Sequence, residues 1–128
     1  MPSLPSNFDS RMLVGFTLTS ICISVNQIDF GFYKFSGVAT SSINLALLTF
    51  AKLEYLDQIY MLRACQPESA QPILQLVGKK ISHAEHTAKS LVLSIENRRL
   101  VFAAIPESLV PEDFILSGKE IDILPVGN

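Results

Sequence analysis

The chain has 128 residues, of which 48% are hydrophobic and 17% are charged, and its formal net charge is -2. This length suits one ordinary domain with a sizeable core, and the composition excludes a disordered chain. The small net charge excludes the general positive field that attracts nucleic acid phosphates, so we expect no direct nucleic-acid partner.

Residues 1–11 contain two prolines and three serines, which predicts an extended leader or loop. The apolar run 12–25 follows Arg11 as in a signal peptide, but polar residues such as Thr17 and Ser20 interrupt it. No run approaches the roughly 18 apolar residues that a membrane helix needs. We therefore expect a soluble, cytoplasmic protein that does not contact the membrane.

The tripeptide Leu-Val-Gly occurs twice, and each copy opens a segment with similar apolar spacing. Gly15 aligns with Gly78 at an offset of 63 positions, and the alignment then continues without a gap. We interpret this as a duplicated structural unit in which the core pattern is kept, although chance matches between common apolar residues are the alternative. The later matched positions are Ile28 with Leu91, Phe30 with Leu93 and Phe32 with Ile95.

The second unit has the pattern of a β-hairpin. Alternate residues of 91–95 are apolar, which is the period of a strand with one buried face. The polar tetrapeptide 96–99 separates this strand from the apolar run 100–105. An opening strand at 79–84 completes a three-stranded antiparallel meander.

The first unit follows the same plan with a longer connection. Its opening strand is predicted at 16–25, and 28–32 alternates in the same way. The connection 34–42 then leads to a partner strand at 43–50.

The segment between the units is ambiguous. In 52–66, the spacing of Leu53, Leu56 and Tyr60 fits a helix in part, but it also fits a strand and a turn. Pro72 suits the first turn of a short helix that leads into the second unit.

Together these patterns predict a mainly β fold, with an α+β fold as the alternative. The two meanders (about 12–52 and 75–105) and a C-terminal hairpin (112–125) form a single sandwich or barrel-like domain over 1–128. The connecting segment 53–74 is expected to supply one or two short helices.

Candidate chemical motifs do not meet the geometry that they require. His83 and His86 are three residues apart, whereas a helical zinc motif needs four, and on a strand they lie on opposite faces. Lys79 and Lys80 follow Gly78, but the other phosphate-loop residues are absent. We expect no catalytic residue, no metal and no cofactor, and therefore a protein that is not an enzyme.

The two cysteines, Cys22 and Cys65, have no motif spacing. We expect both thiols to be buried and reduced, in keeping with a cytosolic protein. The sequence does not decide whether they lie close together.

Residues 104–128 contain five acidic residues against Lys119 alone. An acidic segment on loops can steer a basic partner surface, and neighbouring apolar side chains suit an interface. An ordinary solvated surface is the alternative interpretation. The residues predicted to bind a partner are Glu107, Glu112, Asp113, Phe114, Glu120 and Asp122.

Leu74 to Ile123 resembles a broad group of small uncharacterised bacterial β-proteins. The shared pattern comprises the entry 76–78, the strand 91–95, the turn residue Asn97, the strand 100–105 and the segment 107–108. The chain differs from the pattern in its second hairpin turn, where Asn97-Arg98-Arg99 stands in place of the usual glycine.

Some proteins of this group look like immunity proteins of contact-dependent growth inhibition and other polymorphic toxin systems. The resemblance implies a protein that binds and neutralises a cognate toxin domain, for example a nuclease with a basic surface. The alternative is a structural or assembly module that self-associates through its sheet edges, for example as a homodimer.

Overall fold

The fold is taken from a computed structural model, which describes residues 3–37, 40–105, 112–118 and 121–127, with only the backbone described at 121–123. Its regular elements are β-strands and 3-10 helices. In chain order they are η1 (Ser10–Leu13), β1 (Thr17–Ser24), β2 (Gln27–Phe35), β3 (Thr40–Leu47), β4 (Phe50–Tyr55), β5 (Gln58–Arg63), η2 (Pro67–Leu76), β6 (His83–Thr87), β7 (Ser90–Ile95), β8 (Arg98–Ala103), β9 (Phe114–Gly118) and β10 (Ile121–Val126).

The strands form two antiparallel five-stranded sheets. Sheet A has the order β1-β2-β3-β9-β10, and sheet B has the order β5-β4-β8-β7-β6. Their inner faces pack together: the Phe102 ring of sheet B lies 5.5 Å from Phe30 and 5.7 Å from Phe114 of sheet A, between ring centroids. The expected mainly β, sandwich-like fold is therefore confirmed.

The offset of 63 residues seen in the sequence recurs in the backbone. The pair Ser24–Gln27 that closes the β1–β2 hairpin corresponds to Thr87–Ser90 of the β6–β7 hairpin. Each Leu-Val-Gly follows a 3-10 helix, and its glycine has a positive φ, +94° in one copy and +92° in the other. Only glycine adopts this conformation without steric cost, which explains why the repeated motif keeps it.

Reciprocal hydrogen bonds join the two halves. The Gly15 N–H donates to the Ile81 carbonyl at 2.9 Å, and the Gly78 N–H donates to the Leu18 carbonyl at 2.7 Å. Because each residue lies 63 positions from its counterpart, the junction has approximate two-fold symmetry. The same junction includes the Leu18 N–H to Lys79 and Ile81 N–H to Phe16 hydrogen bonds and the Thr17–Lys80 bridge.

The halves also exchange hairpins. The β4–β5 hairpin follows β3 in the chain but pairs with β8 of the other sheet. The β9–β10 hairpin follows β8 but pairs with β3. Each sheet thus combines three strands from one half of the chain with a hairpin from the other half.

Several predicted boundaries change. The undecided segment 52–66 belongs mostly to β4 and β5, and Leu56 with φ of +55° lies in the turn between them. Much of the connection predicted at 34–42 is strand, because β2 and β3 continue along each other as far as the Phe35–Thr40 pair. The strand predicted at 79–84 is β6 at His83–Thr87, since 78–81 instead bonds to the first half of the chain.

Candidate functional site: a groove beside η2

The residues predicted to bind a partner do not form one exposed set. Glu107, Glu120 and the side chain of Asp122 lie outside the described residues, and Glu112 is half-buried. The other two predicted residues, Asp113 and Phe114, are both buried.

Asp113 is fully buried and holds strands together. Its carboxylate accepts hydrogen bonds from the Thr49 hydroxyl at 2.8 Å and from the Ile105 N–H at 3.1 Å. Its own backbone N–H donates to Val126, and its carbonyl accepts from the Leu48 N–H. The prediction that Asp113 contacts a partner is therefore corrected, because its acceptor atoms face strands of this chain.

Phe114 is also buried and belongs to the core. Its ring is tilted against Phe102, at 5.7 Å between centroids, and it pairs with Leu47 across β3 and β9. The prediction that Phe114 contacts a partner is corrected for the same reason. A residue next to an acidic stretch of sequence can occupy an inward-facing strand position, and the sequence pattern did not separate buried from exposed positions.

The histidines occupy strand β6. His83 is exposed, with its Nε2 4.0 Å from Glu85 Oε2, whereas His86 is half-buried. The Nδ1 atom of His86 lies 2.9 Å from the Ser10 hydroxyl, and its ring meets the edge of Phe8. Among the described residues, no group of three or more His, Cys, Asp and Glu side chains is placed to hold a metal ion.

Both cysteines are exposed free thiols, so the expectation that they are buried is wrong. Cys22 pairs with Asp29 across β1 and β2, whereas its neighbour Ile21 pairs with the buried Phe30. The apolar character of this part of β1 suggested burial, but the register shift between Leu18 and Ser20, followed by alternation, places Cys22 on the outer face.

A groove of about 630 Å³ lies where η2 packs beside β5, at the end of the inner face of sheet B. Leu53 pairs with Tyr60 across β4 and β5, so the two share a face. The helix η2 contributes Pro72 and Gln75 to the opposite wall. The groove is therefore built by β4, β5 and η2, which are adjacent in sequence, and by Arg98 of β8.

Arg98 is held at one end of this groove. Its guanidinium carbon lies 4.0 Å from the centroid of the Tyr55 ring, a cation–π contact. It also donates to the Gln75 side chain at 3.3 Å and to the Glu96 carbonyl at 3.5 Å. Since arginine has five N–H donors and these hydrogen bonds use two, the guanidinium is oriented and keeps donors for a further acceptor.

Tyr60 is the partly exposed aromatic residue of the groove, at 37% exposure. Ile59 is 61% exposed on the opposite face of β5, and Leu56 in the adjoining turn is 82% exposed. The Tyr60 hydroxyl is hydrogen-bonded to Gln58, so this ring also has a fixed polar end. Tyrosine and arginine dominate binding energy at protein interfaces, and their occurrence at 55, 60 and 98 is the sequence signal that could have indicated this site.

Comparison of the chain with protein-family models, with curated proteins and with solved structures finds no match. Within the described part of the chain, neither 3-10 helix is long and apolar enough to cross a membrane.

Proposed function

We propose that this protein is a non-enzymatic binding protein that holds a partner protein in the groove between η2 and β5. The observation that supports this most directly is the Arg98–Tyr55 stack beside the partly exposed Tyr60, which shares a face with Leu53 and Tyr55. An oriented guanidinium next to accessible apolar surface is typical of the centre of a protein interface.

The groove indicates what the partner presents. An apolar or aromatic side chain would pack on the Tyr60 ring, and a carboxylate would accept from Arg98. Because Arg98 is already restrained by Tyr55 and Gln75, it loses little conformational freedom on binding.

In its specific form, the proposal is an immunity protein whose partner is a cognate bacterial toxin domain, such as a nuclease. The resemblance of residues 74–123 to such proteins supports this form. Glu107, Glu112, Glu120 and Asp122 remain proposed electrostatic contacts to a basic toxin surface, whereas Asp113 and Phe114 do not, since both are buried.

The test is co-expression with the polypeptide encoded immediately upstream, followed by size-exclusion chromatography and a growth-rescue assay. A one-to-one complex with rescue is expected for the wild type. Tyr60→Arg and Arg98→Ala should each weaken this complex by at least about tenfold, which corresponds to about 1.4 kcal/mol.

The matched control is Phe35→Arg, which alters another exposed apolar residue, on the β2 strand of sheet A. It should leave the affinity unchanged. If the complex forms but both groove variants bind like the wild type, the groove is not the binding site. If the wild type forms no complex with this polypeptide, the immunity form of the proposal is wrong.

A second candidate is an assembly module that self-associates through sheet edges. The observation in its favour is that β5 is an edge strand of sheet B and that its residues Gln58, Ile59 and Tyr60 are exposed. Sedimentation velocity would distinguish the candidates, because an edge-paired dimer dissociates on dilution and in the Ile59→Pro variant.

A further inference from the structure

The edge of β6 is covered by residues 4–10, which we call the arm. The Leu4 N–H donates to the Ala88 carbonyl at 2.8 Å, and the Ser10 hydroxyl donates to the Ala84 carbonyl at 3.4 Å. Since the arm advances from 4 to 10 while β6 recedes from 88 to 84, the two run antiparallel.

Side chains of the arm also cover β6. Leu4 is buried in the core cluster, and the Phe8 ring meets the His86 ring at 4.9 Å in an edge-to-face arrangement. The Ser10 hydroxyl completes the contact with His86 at 2.9 Å. The arm, which turns at the Phe8 N–H to Pro5 carbonyl hydrogen bond, thus supplies donors to the Ala84 and Ala88 carbonyls and covers the His86 side chain.

The corresponding edge of β1 is open. By the offset of 63, Ala84, His86 and Ala88 correspond to Ile21, Ile23 and Val25. Within the described ranges, no backbone hydrogen bond from another segment reaches these three residues. Ile23 is 41% exposed and Val25 is 88% exposed, so apolar surface is uncovered where the other half is covered.

The sequence explains why the chain does not cover this edge itself. The residue equivalent to Leu4 is Pro67, which has no N–H to donate to the Val25 carbonyl. Pro67 instead begins η2, which contacts β5 and, less extensively, β1, and whose Ile73 is buried. The segment that would be the second arm is therefore used to build the groove wall.

The open stretch continues an existing line of pairing. The first part of the β1 edge is bonded to the second half of the chain, through the Gly78 N–H to Leu18 and the Leu18 N–H to Lys79. Beyond Leu18, that line has no described partner, whereas on β6 it continues into the arm. An added segment at 21–25 would thus extend an interface that the fold has already started.

We propose that the β1 edge at residues 21–25 binds an extended segment of another polypeptide, in the manner in which β6 binds the arm. The bound segment runs antiparallel to β1, donates a backbone N–H to the Val25 carbonyl and places an aromatic side chain on Ile23. This is strand-edge recognition, in which the backbone supplies affinity and the side chain supplies specificity. The site is separate from the groove and does not depend on the proposed function.

The test uses the ¹⁵N-labelled full chain and an unlabelled synthetic peptide with the sequence of residues 3–11. Titration should shift the amide resonances of Ile21 to Val25. Ile23→Pro should weaken binding by at least about tenfold. On an edge strand, alternate residues direct their backbone N–H away from the sheet, and proline at Ile23 removes such an N–H donor without breaking the β1–β2 ladder. The groove variant Tyr60→Arg is the matched control and should bind the peptide like the wild type.

Three results would overturn the proposal. Shifts confined to residues 84–88 would mean that the peptide only displaces the arm from β6. The absence of shifts at millimolar peptide would mean that the edge binds no such segment. Concentration-dependent changes at 21–25 without peptide would identify a second copy of the chain as the occupant. None of these results bears on the groove, which is tested separately by Tyr60→Arg and Arg98→Ala.

Discussion

The Asp113→Ala substitution tests whether this carboxylate stabilises the fold or contacts a partner. It removes the acceptor for the Thr49 hydroxyl at 2.8 Å and for the Ile105 N–H at 3.1 Å, at a site that is fully buried. Each hydrogen bond to a charged group contributes about 1.5–3 kcal/mol, so we expect a loss of about 3–6 kcal/mol. That is a large part of the roughly 5–15 kcal/mol by which domains are stable. Asp113→Asn keeps the shape and one acceptor and should cost about half as much.

The assay is urea unfolding followed by far-ultraviolet circular dichroism, since the chain contains no tryptophan. The urea concentration at the unfolding midpoint should fall, while the slope of the unfolding free energy against urea concentration stays constant. Combining Asp113→Ala with Thr49→Val should give less than the sum of the single effects, because the two residues share a hydrogen bond. The neighbouring half-buried Glu112 supplies the control, and Glu112→Ala should change stability by about 0.5 kcal/mol or less. If Asp113→Ala left stability unchanged but weakened partner binding, our interpretation of Asp113 would be refuted.

Three further predictions concern other parts of the molecule. Gly118→Ala should destabilise the protein by about 1–3 kcal/mol in the same urea assay, because a Cβ there would lie 2.7 Å from the Ser42 carbonyl oxygen; an unchanged midpoint would contradict this. Phe102→Ala should cost about 3–5 kcal/mol, since the ring is fully buried between the sheets, and a loss below about 1 kcal/mol would show that the core closes around the gap. Hydrogen bonds from the side chain and backbone of Arg11 hold the pKa of Asp9 below its ordinary value of 3.8. A lowered carboxyl pKa stabilises the fold above the unfolded value and stops doing so as the pH falls through the folded value. Amide exchange in the arm should therefore increase only below pH 3.8, and NMR titration of Arg11→Ala should show a higher pKa for Asp9. An equal pKa in both proteins would contradict the assignment.

The sequence predicted those strands whose burial follows a simple alternation. In β7, the side chains of Leu91, Leu93 and Ile95 all face the core, and the polar turn after this strand leads into β8, as expected. The two glycines of the repeated tripeptide also indicated a real conformational requirement, because both have positive φ.

The sequence could not distinguish a helix from strands in segment 52–66, for a specific reason. Leu56 completed an apparent helical spacing, but it lies in a turn and is 82% exposed. An apolar residue in a turn gives a false signal to any argument based on periodicity. The pairing of β4 with β8 could not be predicted either, because their residues are far apart in the sequence.

The candidate site was predicted poorly because its contacts are not local. Asp113 accepts from Thr49, which is 64 residues away, and nothing in the acidic segment indicates this partner. The groove likewise depends on the meeting of Tyr55 with Arg98, which requires the exchange of hairpins between the sheets.

The exchange of hairpins has a consequence for how the chain folds as it is synthesised. Strand β3 gains its outer neighbour only when β9 is available, so sheet A keeps an unpaired edge while the whole second half is made. Sheet B can be completed earlier, since β4, β8 and β7 are all present by Ala103. Pairing across such long stretches of chain is slow, and an unpaired strand edge invites aggregation. We therefore expect the nascent protein to complete sheet B before sheet A and to be most prone to aggregation until β9 pairs with β3.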